Sequence, residues 1–377
     1  FWVTDAHANI PPAARIAALS VEFDNVIYPK VRASFGSEWL PGVDGDSRVT
    51  FLVHDIEANN VAAGFGGYFS QVDEHPLERD SNAREILYID AFAIRDYEWF
   101  RLINLVAHEF THLLNWHERG GSTDERWLEE GRAAYSEWVT YGNIHKGFLD
   151  TFLLSPARSL TSDNSFSTWY GASFLLLMYL HDHFGGQAFA EAYGRVPRRG
   201  ADAIDAALEQ IGRDERIVDI LPHWALANLI NNRARTPLGG YRSIPAVHRV
   251  PASQVRKRTS YPAVGAVLVR EWAVAYTEFR SAPAGAVTFR TDGEGNAAYT
   301  AHVWRARTRE YLPLDHGADG AAWLRVGDGQ PGETYTLILT SQAPQRVEYR
   351  VEQNGAIGVG GGPPVLGSAP LVTRLRV

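Results

Sequence analysis

The chain has 377 residues, of which 45% are hydrophobic and 21% charged, and a net charge of −8. This is ordinary globular material, and domains usually run to about 100–200 residues, so two domains are expected. An acidic balance argues against a nucleic-acid binder, and the absence of cysteine excludes a disulfide framework, a thiolate metal site and a cysteine nucleophile.

The densest basic run, Arg256-Lys257-Arg258, reads as a solvated loop, and Lys30, Lys146 and Lys257 are the only lysines. The longest strongly apolar run, Ala172 to Leu180, is short of the roughly 20 residues that span a bilayer, so no transmembrane segment is expected. The chain opens at Phe1 without a methionine, which leads us to expect that an upstream segment has been removed.

In chain order, a first helix is predicted from Pro12 to Phe35, followed by strands at Arg48 to Val53, Gly67 to Ser70 and Ile86 to Asp90. Asp96 is placed to cap a long helix from Tyr97 to His117, free of Gly and Pro and stopped by Gly120-Gly121. Ser122 with Glu125 forms a capping-box pattern for a helix from Thr123 to Val139, ended by Gly142. Further helices are predicted at Thr168 to His183, Gln187 to Tyr193, Ala201 to Ile211 and Arg216 to Asn231. Near residue 240 the pattern changes. Short alternating segments (Ala266 to Arg270, Ala286 to Arg290, Ala298 to Trp304, Thr334 to Thr340) alternate with turn signals at Asp292-Gly293, Gly295-Asn296 and Asp328-Gly329. They predict an all-β sandwich over 241–354, whose aromatics Trp272, Tyr276, Trp304, Tyr311 and Trp323 serve as core. Residues 355–377 read as a Gly/Pro-rich tail.

Residues 108–112 are His-Glu-Phe-Thr-His. Histidines four apart share one face of a helix, so both rings reach one ion. The glutamate between them points about 100° away, where it can polarise water at the metal without ligating it. The same five residues would also suit a helix with two core histidines bonded elsewhere. A catalytic zinc site needs a third protein ligand and an open position. His117, five residues beyond His112, lies about 140° further round the helix and is excluded.

The next helix supplies Glu129 and Glu130. Glu130 shares the apolar side of Trp127, Ala134, Tyr135 and Trp138, whereas Glu129 groups with Arg126, Arg132 and Ser136 on the wet side. A carboxylate on the buried side needs a partner, so Glu130 is expected to be the ligand and Glu129 to be surface. Asn115, three residues on from His112 on the same face, is placed to brace it. The acidic stretch Asp73-Glu74, Glu78, Asp80 offers hard oxygen ligands for Ca²⁺, but it lacks EF-hand spacing and reads rather as a solvated loop.

His-Glu-x-x-His, followed 18 residues later by the glutamate of Trp127-Leu128-Glu129-Glu130-Gly131, resembles the gluzincin metallopeptidases. The surrounding wording is most similar to the hyicolysin-type secreted bacterial peptidases, in Phe1-Trp2-Val3, Gly67 to Ser70, Ala107 to Trp116, Trp127 to Tyr135, Tyr170 to Gly186 and Trp224 to Asn228. One departure is Glu129, where such proteins commonly carry asparagine.

The resemblance implies an α+β fold: a thermolysin-like zinc metallopeptidase domain over 1–240, mostly helical with a small mixed sheet, before the sandwich. It also implies an extracellular zinc peptidase, with Glu109 as general base and peptide or protein as substrate. Residues 170–186 resemble the aminopeptidase-N-like helix whose first tyrosine donates to the oxyanion, which assigns that role to Tyr170; His181 and His183 are weaker candidates, expected at the surface. The aminopeptidase Gly-Met-Glu-Asn motif is absent. In its place stands Gly64 to Ser70, in which Gly66, Gly67 and Tyr68 are expected to form an edge strand that accepts an extended peptide, favouring an endopeptidase. Two other readings stay open at this point. One is an aminopeptidase or other zinc hydrolase on the same scaffold; the other is an inactive protein that keeps the metal.

Overall fold

A computed structural model describes residues 1–56, 66–161, 166–280, 284–294, 299–317 and 320–355. Gly64, Phe65, the Gly295-Asn296 turn and the tail beyond Gly355 lie outside the described residues. The chain divides into two compact units, residues 1–146 with 173–214 and residues 147–172 with 215–377. The boundary thus falls earlier than the change of sequence character at residue 240. Among the described residues, no helix is long and apolar enough to cross a membrane.

The first unit is built on a four-stranded sheet of β1 (Trp2–Val3), β2 (Thr50–His54), β3 (Gly67–Phe69) and β4 (Ile86–Asp90), in the order β1-β2-β4-β3. The β1–β2 and β2–β4 pairs are parallel and β3–β4 is antiparallel, so the sheet is mixed. Every residue of β4 is buried, as a continuous Ile-Leu-Tyr-Ile run demands of an inner strand. The expected first helix is α1 (Ala13–Glu22) and α2 (Tyr28–Phe35), joined by a π-type turn at Phe23–Ile27 and stopped at Gly36, whose φ of 94° a side chain would strain.

Two cap expectations fail. Asp96 ends a short helix, α3 (Ala91–Asp96), and the capping carboxylate is Asp90, which accepts from the Ala93 N–H at 3.1 Å. The long helix α4 then runs Trp99–Glu118. Likewise α5 begins only at Arg126 and ends at Tyr141; Ser122 donates to the Arg119 carbonyl instead of capping. Gly142 closes α5 in the left-handed region, as expected.

Helices α4 and α5 pack side by side, joined by a hydrogen bond between the Thr111 and Ser136 hydroxyls, 2.6 Å apart. On the other side of α4, Phe110 is fully buried against Phe23 and Tyr28, with ring centroids 5.1 and 5.6 Å away. The sequence reading missed α6 (Lys146–Leu153). Helices α7 (Phe166–His183), α8 (Gln187–Arg195), α9 (Gly200–Gln210) and α10 (Ile217–Ile230) fall within a few residues of expectation.

In the second unit, β5 (Arg256–Arg258), β7 (Ala273–Arg280), β9 (Tyr299–Arg305), β10 (Glu310–Pro313) and β13 (Thr334–Ser341) form a sheet of order β10-β9-β13-β7-β5. A second sheet runs β11-β12-β8-β14-β6, from β6 (Ala263–Val269), β8 (Gly285–Gly293), β11 (Asp315–His316), β12 (Ala322–Gly329) and β14 (Gln345–Gly355). Both sheets contribute to one core that includes Phe279, Phe289, Val303, Leu337 and Val347. The architecture is therefore α+β, with helices and a small mixed sheet followed by a β-rich region. The Arg256-Lys257-Arg258 run is an exposed edge strand and not a loop. Tyr276 and Trp304 are buried as expected, but Trp323 is 54% exposed. Helix α10 belongs to this unit: Tyr276 and Tyr311 donate to the carbonyls of Ala225 and Pro222 at 2.7 and 2.8 Å.

Gly131 lets α5 approach α7 closely, because a Cβ there would stand 2.6 Å from the Ser173 Cβ. Alanine is ordinarily the better helix former by about 1 kcal/mol, but overpacking a tight contact costs about 1–3 kcal/mol. Gly131→Ala is therefore expected to lower stability in denaturant unfolding; a gain would contradict the packing.

Candidate metal centre

The site grows from the α4–α5 pair. On α4 the His108 and His112 rings lie 4.9 Å apart at 75°, and both Nε2 atoms face Glu130 of α5, at 3.3 and 3.8 Å from its Oε2. One ligand atom from each of the three lies within 4.8 Å of the others, and no other such group of three occurs among the described residues. Two imidazole nitrogens and one carboxylate oxygen are the donor set of a catalytic zinc site, with a fourth position left over. The residues present therefore fit a zinc ion.

The opposite ring nitrogens are equally fixed. His108 Nδ1 bonds Glu137 Oε1 at 2.9 Å, and His112 Nδ1 bonds Glu129 Oε1 at 3.0 Å. A carboxylate that accepts the Nδ1–H hydrogen bond leaves the Nε2 lone pair for a metal. Glu137 also accepts from Asn143 at 2.7 Å and faces His145 Nε2 at 3.1 Å. Glu129 takes further bonds from Asn115 Nδ2 at 3.1 Å and the Asp124 N–H at 3.2 Å. Behind them the fully buried Arg132 donates to Asn115 at 2.8 Å and, with Arg119, lies 3.3 Å from Asp124.

Burial opposes the charged forms throughout. For His108 it is outweighed by hydrogen bonds to Glu130 and Glu137, which raise its pKa well above the ordinary value, and for His112 chiefly by the bond to Glu129. Burial likewise opposes ionisation of Glu129 and Glu137, yet the neighbouring histidines hold both carboxyls down at about 2. Glu109 differs: burial raises its pKa, and the two histidines only partly offset that. It is 6% exposed and, among the described residues, accepts no hydrogen bond.

Glu129 is thus not a surface residue. Its side chain is 16% exposed and grips His112, because the loop before α5 folds over the side of the helix that periodicity alone assigns to water. Asn115 does brace the site, but through Glu129 and not by touching His112. Glu137 was missed. It stands seven residues beyond Glu130, two turns along the same helix face, and that spacing was the available signal.

His117 turns away as expected and bonds the Ser37 carbonyl. His181 and His183 are not surface residues: His181 bonds the Tyr135 hydroxyl at 2.7 Å, and His183 is buried with its ring 4.4 Å from that of Tyr179. Tyr170 lies in the part of α7 assigned to the second unit, 4% exposed, with its ring 4.5 Å from that of Phe148.

Strand β3 is an edge of its sheet among the described residues. The side where its glycines lack a side chain is occupied by the chain itself. A Cβ on Gly67 would meet the Tyr88 carbonyl at 2.8 Å and Glu109 at 3.4 Å, and one on Gly66 would meet Tyr97 and Leu105. Tyr68 stacks on Tyr88 at 4.4 Å. Gly67 therefore serves close packing against β4, and Gly66, just before β3, close packing against Tyr97 and against Leu105 of α4. Of the acidic stretch, Glu78 and Asp80 are exposed, but Asp73 and Glu74 are buried, so the solvated-loop reading is wrong for those two.

Removing a carboxylate that orients a ligating histidine typically weakens metal binding about 10–100-fold. Glu129→Ala and Glu137→Ala are each expected to lower Zn²⁺ affinity by that factor in competition with a chromogenic chelator. Unchanged affinity in both would contradict the orienting role.

No protein-family model and no curated protein matches this chain. Solved structures are similar only remotely. They include the pre-peptidase C-terminal domain of a collagenase from Bacillus anthracis, at 12% identity over 26% of this chain and 94% of that one, TM-score 0.23. Another is PliG from Salmonella Typhimurium, a periplasmic inhibitor of g-type lysozyme, at 7% identity over 27% and 99%, TM-score 0.20. A third is the surface-associated copper-binding protein CorA of Methylomicrobium album BG8, at 8% identity over 26% and 98%, TM-score 0.21.

Proposed function

We propose that this chain is a zinc-dependent peptidase of the gluzincin type, with a thermolysin-like catalytic domain, acting outside the cell on internal bonds of peptides or proteins. One observation carries the reading. His108, His112 and Glu130 converge with their outward nitrogens held by Glu137 and Glu129, while Glu109 beside them accepts no hydrogen bond among the described residues. A pure metal-storage site has no need of that last carboxylate.

His108 Nε2, His112 Nε2 and Glu130 Oε2 would hold the ion. When bound, zinc supplies Lewis acidity, which makes water a nucleophile near neutral pH and polarises a carbonyl. Glu109 then does the proton work: a carboxylate oxygen takes the proton from the attacking water and delivers it to the departing amine nitrogen. Burial lifts its basicity, which suits both halves of that transfer. Glu129 and Glu137 keep the imidazoles in one tautomer during turnover. Tyr170 has its role as oxyanion donor from the family resemblance alone.

Hydrolysis of peptides blocked at both ends, abolished by chelator and restored by Zn²⁺, is the expected activity; cleavage confined to free-amine peptides would make it an aminopeptidase instead. Glu109→Gln is expected to lower kcat at least 10²–10⁴-fold, the usual contribution of a positioned general base, with zinc content unchanged by elemental analysis. Retained activity in that variant would refute the mechanism.

A further inference from the structure

We propose that a hard divalent cation, Ca²⁺ by its ligand chemistry, binds in the first compact unit between the loop of residues 37–49 and the segment of residues 71–85, held by the carboxylates of Glu74 and Glu85. Four carboxylates are buried there: Glu38, Asp73 and Glu85 are each 1% exposed, and Glu74 is 6% exposed. Asp73 is satisfied, accepting from the Asn82 N–H and the Tyr88 hydroxyl at 2.7 Å each. Glu38 accepts the Tyr28 hydroxyl on Oε1 at 2.6 Å, and its Oε2, without a hydrogen bond, has the Arg32 guanidinium as counter-charge 3.1 Å away. Glu85 accepts the Val43 N–H on Oε1 at 2.8 Å, but its Oε2 has no donor. Glu74 has none on either oxygen.

Buried carboxylates without a counter-charge are unstable, so a partner is required. The nearby guanidiniums are committed, Arg32 to Glu38 and Arg84 to Asp44 at 3.1 Å. The charges acting on Glu74 are all negative: burial pushes its carboxyl up to about 8, with Glu85, Asp73 and Glu38 adding to the shift. A proton on Glu74, donated to Glu85 Oε2, is the alternative to a cation, and calcium titration separates the two. A cation between Glu74 and Glu85 answers both carboxylates.

The ligands are oxygens only, which suits calcium and not zinc. A neutral donor is also at hand. A Cβ on Gly42, whose φ is 105°, would fall 2.3 Å from the Asp46 carbonyl oxygen and 2.8 Å from Glu85 Oε2, so these two oxygens face one another across the bare glycine. Three carboxylate ligands do not converge here as the His-His-Glu set does. The site is instead two carboxylates completed by backbone carbonyl and water, within the six to eight oxygens calcium accepts.

The test is calcium titration of the full chain, purified in calcium-free buffer with zinc present, by calorimetry and thermal unfolding. We expect one Ca²⁺ per chain, taken up on titration or already present by elemental analysis. At about a hundred-fold excess over the dissociation constant, Tm should rise by about 5 °C or more. Glu74→Gln or Glu85→Gln should weaken binding at least tenfold, and His108→Ala should leave it intact, which separates this site from the zinc reading. No bound or titratable calcium, an equal response to Mg²⁺, or an unchanged calcium response in Glu74→Gln would each overturn the proposal.

Discussion

Apart from Glu109, each charged side chain that joins α4 to α5 at the site is answered by another. Glu129, Glu130 and Glu137 on one helix and His108 and His112 on the other would each be costly alone in that interior. Together they form a chain of bonds in which every imidazole nitrogen faces a carboxylate. The Thr111–Ser136 hydrogen bond joins the same two helices, and a slide of either would break all four contacts at once. The Arg119–Asp124–Arg132 cluster backs this network from the far side and ties it to the loop that precedes α5.

Glu109 stands outside this network. Its side chain lies on the β3 side of α4, its Cγ at contact distance from where a side chain on Gly67 would begin, and it accepts no hydrogen bond among the described residues. A carboxylate kept dry and unbonded is a better base than one already committed to an amide or a guanidinium. Helix α4 carries Glu109 on the same stretch as His108 and His112.

Much of this was legible beforehand. The i, i+4 histidines, the phase argument against His117 and the choice of Glu130 needed only helical geometry, and the structure places those residues together. The reading failed where a loop intervened. Glu129 was assigned to water by helical phase, but the turn at Asp124 covers it. Glu74 was taken for part of a solvated stretch, although the short helical turn Gln71–Glu74 tucks it beneath the strands. The caps of α4 and α5 were misplaced for a similar reason. Asp90 at the end of β4 caps the intervening short helix α3, and α4 and α5 start after Glu98 and Glu125 without a side-chain cap.

By itself, the sequence determined that two histidines and a glutamate share a metal-binding pattern on successive helices, and that a β-rich region follows a helical one. Those are properties of local periodicity, set by backbone geometry. Only the tertiary structure decided which side chains hold the ligands from behind, that Gly66 and Gly67 serve packing, and that Glu38, Asp73, Glu74 and Glu85 meet in one buried place. These depend on contacts between residues far apart in the chain, and burial and charge compensation are properties of such contacts.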